Sequence, residues 1–150
     1  MDYFQGVVTE FLRANRSTFV NTEYLIQLDE GKTPLKGRHW YCDALAVNFE
    51  DSTVNLCETT YSKTMSALLS RLQGWATNWS GVCEAIARDS KLVGIWRYQP
   101  WLFVPEEGKD LLLRKLAALK LQPLASAMPV PQIQTLESVA PWNYCTWDRK

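Results

Sequence analysis

The segment formed by residues 39–49 limits the fold more than any other part of the chain. In a sheet with one face in water, apolar and polar residues alternate along each strand. Here both alternating sets are mostly apolar, and a single acid, Asp43, interrupts them. The segment is therefore predicted to be a strand with both faces covered, as in an α/β fold whose central mixed sheet has flanking helices.

The spacing of apolar residues predicts the other elements. Three- and four-residue spacing predicts helices, and runs of β-branched and aromatic residues predict strands. The helices are predicted at about 2–15, 62–76, 82–88 and 111–119, and the strands at about 17–28, 39–49, 54–60 and 92–104. This gives the order αβββααβα. The short polar segment 50–53 predicts an antiparallel hairpin between the second and third strands.

The length of the chain, 150 residues, is typical of one domain, and its 47% hydrophobic and 21% charged residues are typical of a globular protein. The predicted domain covers residues 1–121. The remaining residues, 122–150, form a Pro/Trp-rich extension in which no regular element is predicted. Exposed tails rarely carry this many aromatic side chains, so we expect Trp142 or Trp147 to pack on the domain or on a partner subunit. The second arrangement gives a homodimer or other homo-oligomer.

The sequence predicts a cytoplasmic protein with no membrane partner. No apolar run approaches the roughly 20 residues that cross a bilayer, and the first residues lack a basic region followed by an apolar segment. The four cysteines are scattered without a CxxC motif, which argues against a zinc site and against a disulfide framework.

The charge of the chain is balanced, with 16 basic and 16 acidic residues. This balance removes the overall positive field of many nucleic-acid binders. The segment 31–39 is nevertheless basic, because Lys32, Lys36 and Arg38 occur there without an acid. These side chains are candidate contacts to DNA phosphates, and the alternative is a solvated connector between strands.

Asp43 and Glu58 are the candidate metal ligands. A carboxylate among apolar strand residues costs several kcal/mol unless a cation or strong hydrogen bonds compensate it. If the second and third strands form a hairpin, the two acids can point to the same side of the sheet and converge on one divalent ion. Hard oxygen ligands favour Mg²⁺ or Mn²⁺ as the cofactor.

With these acids on that order of elements, the chain resembles the PD-(D/E)xK superfamily, the restriction-endonuclease-like nucleases. The resemblance implies that Asp43 and Glu58 of "ETTYSK" bind the metal together with the backbone carbonyl of Thr59. The motif lysine is replaced by Thr60, and the motif proline by Cys42. Lys63 lies three residues after Thr60 and is the candidate catalytic lysine, because its flexible stem of about 6 Å can carry the amine back.

Three further polar residues have weaker claims to the site. Glu10 is a candidate third carboxylate from the first helix, and Gln73 is a candidate from the helix after the third strand. Each has the alternative of a solvated helix position. His39 has no recognisable partner for general base catalysis, so a structural role or contact with a DNA backbone is the better interpretation.

The function predicted from this resemblance is metal-dependent hydrolysis of DNA phosphodiester bonds by an Mg²⁺- or Mn²⁺-dependent endonuclease. A homodimer is expected for cleavage of both strands. The alternative is a catalytically inactive protein-interaction or DNA-binding module that keeps the nuclease fold without the motif lysine. A third interpretation is a structural α/β subunit in which Asp43 only accepts hydrogen bonds.

Overall fold

The computed structural model describes residues 2–29, 38–119 and 128–146, and these ranges contain four α-helices and five strands. The helices are α1 Tyr3–Arg13, α2 Ser66–Thr77, α3 Trp79–Ser90 and α4 Glu106–Leu119. The strands are β1 Thr18–Gln27, β2 His39–Asn48, β3 Thr53–Thr59, β4 Arg97–Val104 and β5 Gln132–Thr135. Within the described ranges, no helix combines the length and the apolar character needed to cross a membrane.

The five strands form one mixed sheet in the order β1-β2-β3-β4-β5. β1, β2 and β3 form an antiparallel meander, so the predicted hairpin between β2 and β3 is confirmed. β4 runs parallel to β3, and β5 runs parallel to β4. The predicted order αβββααβα is also confirmed, and the chain is an α/β protein with a five-stranded mixed sheet.

The prediction that residues 122–150 hold no regular element is wrong, because β5 lies there and pairs with β4. β5 has only four residues, QIQT, too few to show a clear periodicity. In the described part of this segment, residues 128–146, the buried residues are Met128, Pro131, Leu136 and Val139. Trp142 is 83% exposed in this single chain, and Trp147 lies outside the described residues.

Helices cover both faces of the sheet. On one face α2, α3 and α4 enclose the larger apolar cluster, which contains Leu56, Leu72 and Trp75. On the other face α1 and the segment after β5 enclose a smaller cluster, which contains Leu12 and Phe103. This two-sided burial is the arrangement that the apolar character of β2 predicts.

The side chains of β2 do not show the expected regular alternation between the two faces of the sheet, because the alternation shifts by one residue at Asp43. Cys42 packs in the larger cluster, whereas Ala44 and Ala46 pack in the smaller cluster on the opposite face. The neighbouring strand β1 changes faces at the same level, where Glu23 has a left-handed backbone with φ 53°. The sheet is therefore distorted at the level of Asp43, and such irregularities redirect side chains near functional sites.

Two glycines provide a test of how tightly α2 packs on the sheet. An added Cβ at Gly74 of α2 would lie 3.0 Å from Trp40 Cζ2 and 3.1 Å from Trp40 Nε1, whereas one at Gly6 of α1 meets nothing within 4 Å. Alanine is favoured over glycine in a helix by about 1 kcal/mol. We expect Gly6→Ala to raise the free energy of unfolding by about 0.5–1 kcal/mol. Gly74→Ala should give no gain or a loss, because the indole resists displacement, and urea unfolding of both variants checks this.

Candidate functional site

Asp43 and Glu58 lie opposite each other where the pairing of β2 and β3 ends. The last pair of this ladder joins Ala44 to Cys57. The next residues in the same register are Asp43 and Glu58. The antiparallel hairpin therefore places the two acids next to each other on neighbouring strands.

The two carboxylates take over hydrogen bonds at the point where the backbone ladder stops. Thr59 N donates to Asp43 Oδ2 at 2.9 Å, and Asp43 N donates to Glu58 Oε2 at 3.2 Å. Each acid thus accepts a bond from a backbone amide of the opposite strand. These contacts fix the positions of both carboxylates relative to the sheet.

A helix on each side of the sheet holds the remaining carboxylate oxygens. Gln5 Nε2 of α1 donates to Asp43 Oδ1 at 3.2 Å, and Arg71 Nη1 of α2 donates to Glu58 Oε1 at 2.5 Å. The last contact is also an ion pair, with the Glu58 side chain 1% exposed and the Arg71 side chain 31% exposed. All four carboxylate oxygens therefore accept a hydrogen bond from the protein.

The electrostatics of the pair are dominated by burial. Burial raises the pKa of Glu58 well above its ordinary value of 4.5, and the nearby carboxyl of Asp43 raises it further. The Arg71 guanidinium lowers this pKa, but it does not offset the other two causes. Ionised Glu58 therefore needs nearby positive charge, and the Arg71 guanidinium supplies part of it.

The thiols beside the site are inert. Cys42 and Cys57 are both buried, and burial raises the pKa of each well above its ordinary value, with a further rise caused by the charge of Glu58. Thiols with raised pKa values are poor nucleophiles at neutral pH. The two cysteines act as small apolar residues of the core.

Among the described residues, Lys63, Glu10, Gln73 and Arg38 make no hydrogen bond or ion pair with either carboxylate. Lys63 is exposed in the segment between β3 and α2, and Glu10 is exposed on α1. Gln73 Nε2 donates to Thr77 Oγ1 of its own helix at 3.4 Å. Arg38 Nη1 donates to Asn78 Oδ1 at 3.2 Å. Lys32 and Lys36 lie outside the described residues.

Arg71 and Gln5 are site residues that the sequence interpretation missed. A usable signal existed for Arg71, because it lies three residues after Leu68 and four before Trp75, and both are buried on α2. A charge on the buried stripe of a helix needs a partner, as Glu58 does on its strand. Gln5 carried no such signal. Its side chain also accepts a hydrogen bond from Asp2 N, so in the sequence it fits the capping box of α1 equally well.

Comparison with known proteins identifies no relative of this chain. No family model matches it, and neither the curated proteins nor the solved structures gave a significant match. Among the described residues, no group of three or more His, Cys, Asp or Glu side chains is arranged to hold a metal. Fold and site together define an α/β protein in which the buried Glu58 and the half-buried Asp43 meet at the end of a β-hairpin ladder.

The raised pKa of Glu58 predicts a pH dependence of stability in the metal-free chain. Between 4.5 and the raised value, Glu58 is protonated in the folded state and ionised in the unfolded state. The folded state binds more protons, so the contribution of Glu58 to the free energy of unfolding falls as pH rises, by up to about 1.4 kcal/mol per pH unit. Urea unfolding with chelator present should show this slope in the difference between wild type and Glu58→Gln. A difference that stays constant from pH 4.5 to 8 contradicts it.

Proposed function

We propose that this chain is a metal-dependent nuclease with a restriction-endonuclease-like core. Asp43, Glu58 and the backbone carbonyl of Thr59 are the proposed ligands of Mg²⁺ or Mn²⁺, and DNA is the proposed substrate. The observation that carries the proposal is the opposed placement of two carboxylates, the buried Glu58 and the half-buried Asp43, at the end of the β2–β3 ladder. The lack of disulfides among the four cysteines supports a reducing, cytoplasmic location.

The donor set fits Mg²⁺ or Mn²⁺ in kind and in number. Mg²⁺ binds oxygen ligands, and it usually takes one or two carboxylates while keeping several waters. Asp43 and Glu58 supply two such groups, and a site that retains water ligands needs no third acid. A bound divalent cation supplies an activated water and stabilises negative charge on the phosphate.

The protein groups around the acids have separate roles in this proposal. Gln5 and the Thr59 amide orient the Asp43 carboxylate, and Arg71 orients the Glu58 carboxylate. Arg71 is thus a positioning residue. Lys63 is the proposed group that acts on the nucleophile, because its exposed, flexible side chain follows the site directly in the chain.

The proposal is tested by metal titration and by cleavage of supercoiled, linear and single-stranded DNA. We expect the wild type to bind Mn²⁺ in calorimetry and to nick DNA with Mn²⁺ or Mg²⁺. Asp43→Asn should abolish both, because it removes a charged ligand while it keeps the size of the side chain and an oxygen for the Thr59 amide. The matched control is Asp51→Asn, an exposed acid in the β2–β3 turn that should leave both unchanged.

A wild type that cleaves none of these DNA forms with either metal contradicts the nuclease proposal. Cleavage that survives Asp43→Asn contradicts the assigned site. In the second case the nuclease activity would have to be attributed to other residues.

The second candidate function is an inactive interaction module that keeps the fold. It is favoured by the observation that each of the four carboxylate oxygens already accepts a protein hydrogen bond. In that case the acids stabilise the end of the ladder and need no cation. The module predicts no specific Mn²⁺ binding, so the same titration separates the two functions.

A further inference from the structure

A cavity of about 270 Å³ lies between the sheet and the carboxyl end of α1. Its main lining residues are Phe11, Asn15, Asn55, Trp101 and Tyr144. No charged side chain is among the described residues that line it. Gln5 contacts Asp43, and Ala14, the residue after α1, lines the cavity. Nine residues separate them, which is about 13 Å along a helix. The cavity is therefore separate from the carboxylate site.

Asn55 is the unusual residue of this cavity. It lies on β3, where its exposed fraction is 8%, next to the apolar cluster that contains Ala46 and Phe103. Its Nδ2 donates to Ala46 O at 3.5 Å, far from the usual 2.9–3.0 Å of such bonds. No other hydrogen bond of this amide occurs within the described part of the chain. The Asn55 side chain therefore keeps hydrogen-bonding capacity that solvent or a ligand in the cavity can use.

Aromatic rings form part of the wall of the same cavity. The ring of Phe11 lies edge-on to Trp101, with centroids 6.1 Å apart, and edge-on to Tyr144, with centroids 5.3 Å apart. The cavity thus combines aromatic surfaces with the amide of Asn55.

These features specify the chemistry of a ligand. Within the described lining, a charged ligand would lose its hydration without gaining a charged partner, and a purely apolar ligand would leave the Asn55 amide unpaired. The volume lies just below the roughly 300–1,000 Å³ of drug-sized pockets, so the bound group is small. An Asn side chain offers one donor and one acceptor side by side, which matches the edge of a nucleobase, and aromatic rings pack against the base plane.

We propose that this cavity binds an uncharged nucleobase, with its edge hydrogen-bonded to Asn55 and its ring against the aromatic wall. The base can belong to a free nucleoside or to an unpaired nucleotide of a bound strand. The second source rests on the proposed nuclease function, whereas the first does not.

The test uses the full chain with chelator present, so that no cleavage occurs. Adenosine, guanosine, cytidine and thymidine are titrated separately by calorimetry, and a labelled single-stranded oligonucleotide is titrated by fluorescence anisotropy. We expect saturable binding of at least one nucleoside. Asn55→Leu should weaken it roughly ten- to a hundredfold, because the amide that pairs with the base edge is lost. Asn21→Leu, at an exposed position of β1 that does not line this cavity, is the matched control.

A second variant, Ala46→Val, tests whether the ligand lies in this cavity by reducing the volume of the cavity. Ala46 lines the cavity and is fully buried, so two added methyl groups reduce the space for a ligand. Loss of binding in both Asn55→Leu and Ala46→Val, with thermal unfolding still cooperative, supports the proposal. Nucleoside binding that is equal in wild type and both variants overturns it.

The remaining measurements separate this proposal from the nuclease. Asp43→Asn should leave nucleoside affinity unchanged, whether or not the chain cleaves DNA. If Asn55→Leu also weakens the oligonucleotide, the base comes from a bound strand; if it weakens only a nucleoside, the free molecule is the ligand. The absence of binding by all four nucleosides, together with equal oligonucleotide affinity in wild type and Asn55→Leu, overturns the proposal.

Discussion

Arg71→Met is expected to lower the free energy of unfolding by about 3–5 kcal/mol at pH 8, the range for removing one partner of a buried ion pair. The Glu58 side chain is 1% exposed, so water cannot replace the lost guanidinium. Methionine keeps most of the length and apolar stem of arginine, which limits the loss of packing around α2. Urea unfolding of the metal-free chain measures the effect.

The size of this loss should depend on pH. Arg71 lowers the pKa of Glu58, so its removal raises that pKa further. Glu58 is then protonated more readily, and a neutral acid tolerates burial better than a charged one. The cost of Arg71→Met should therefore be smaller at pH 5 than at pH 8.

The double variant Glu58→Gln with Arg71→Met completes the cycle. It removes both charges, and replacing both partners of a buried ion pair often leaves the free energy of unfolding unchanged. We expect it to be more stable than Arg71→Met alone at pH 8. Arg114→Met, an exposed position of α4, is the control and should stay within about 0.5 kcal/mol of wild type. A similarly small effect of Arg71→Met would show that the ion pair does not stabilise the fold.

The sequence predicted the order of elements because most of them are long and periodic. The exceptions are informative. α2 was expected to begin near Ser62, but it begins at Ser66 after Met65, whose left-handed backbone has φ 56°. Met65 is also buried in the larger apolar cluster, so tertiary packing rather than a capping hydroxyl sets this boundary. β5 was missed because its four residues are placed by pairing with β4, a contact that local periodicity does not encode.

The candidate site was predictable only where strands determine it. A hairpin between β2 and β3 brings Asp43 and Glu58 together, since pairing follows from a short turn. Arg71 and Gln5 come from helices on opposite faces, and their approach depends on how each helix packs on the sheet. The reversal of strand faces at Asp43 was likewise unpredictable, because it accompanies the left-handed backbone of Glu23 on the neighbouring strand. Glutamate carries no strong preference for that conformation.

Lys63→Ala is expected to lower metal-dependent DNA cleavage by about a hundredfold or more, which is the usual contribution of a group that acts on the nucleophile. Metal affinity and stability should change little, because Lys63 is exposed and makes no contact with Asp43 or Glu58 in the described structure. Lys109→Ala, on α4, is the control, since its side chain has no part in the proposed site.

A rescue variant tests whether a lysine at position 60 can replace Lys63. In the resemblance to the nuclease motif, Thr60 stands where the motif has its lysine. Thr60 is half-buried, and its amide donates to Phe103 O at 3.0 Å, so the backbone at this position is fixed beside β4. Because strand side chains repeat every two residues, a lysine there faces the side of Glu58. Thr60→Lys in the Lys63→Ala background should therefore restore part of the cleavage rate.

If Lys63→Ala cleaves as fast as wild type, the catalytic role of Lys63 is wrong, but the proposed nuclease function is not contradicted. If the double variant stays inactive although it folds and binds Mn²⁺, position 60 cannot deliver the charge, and the resemblance to the motif fails at that residue.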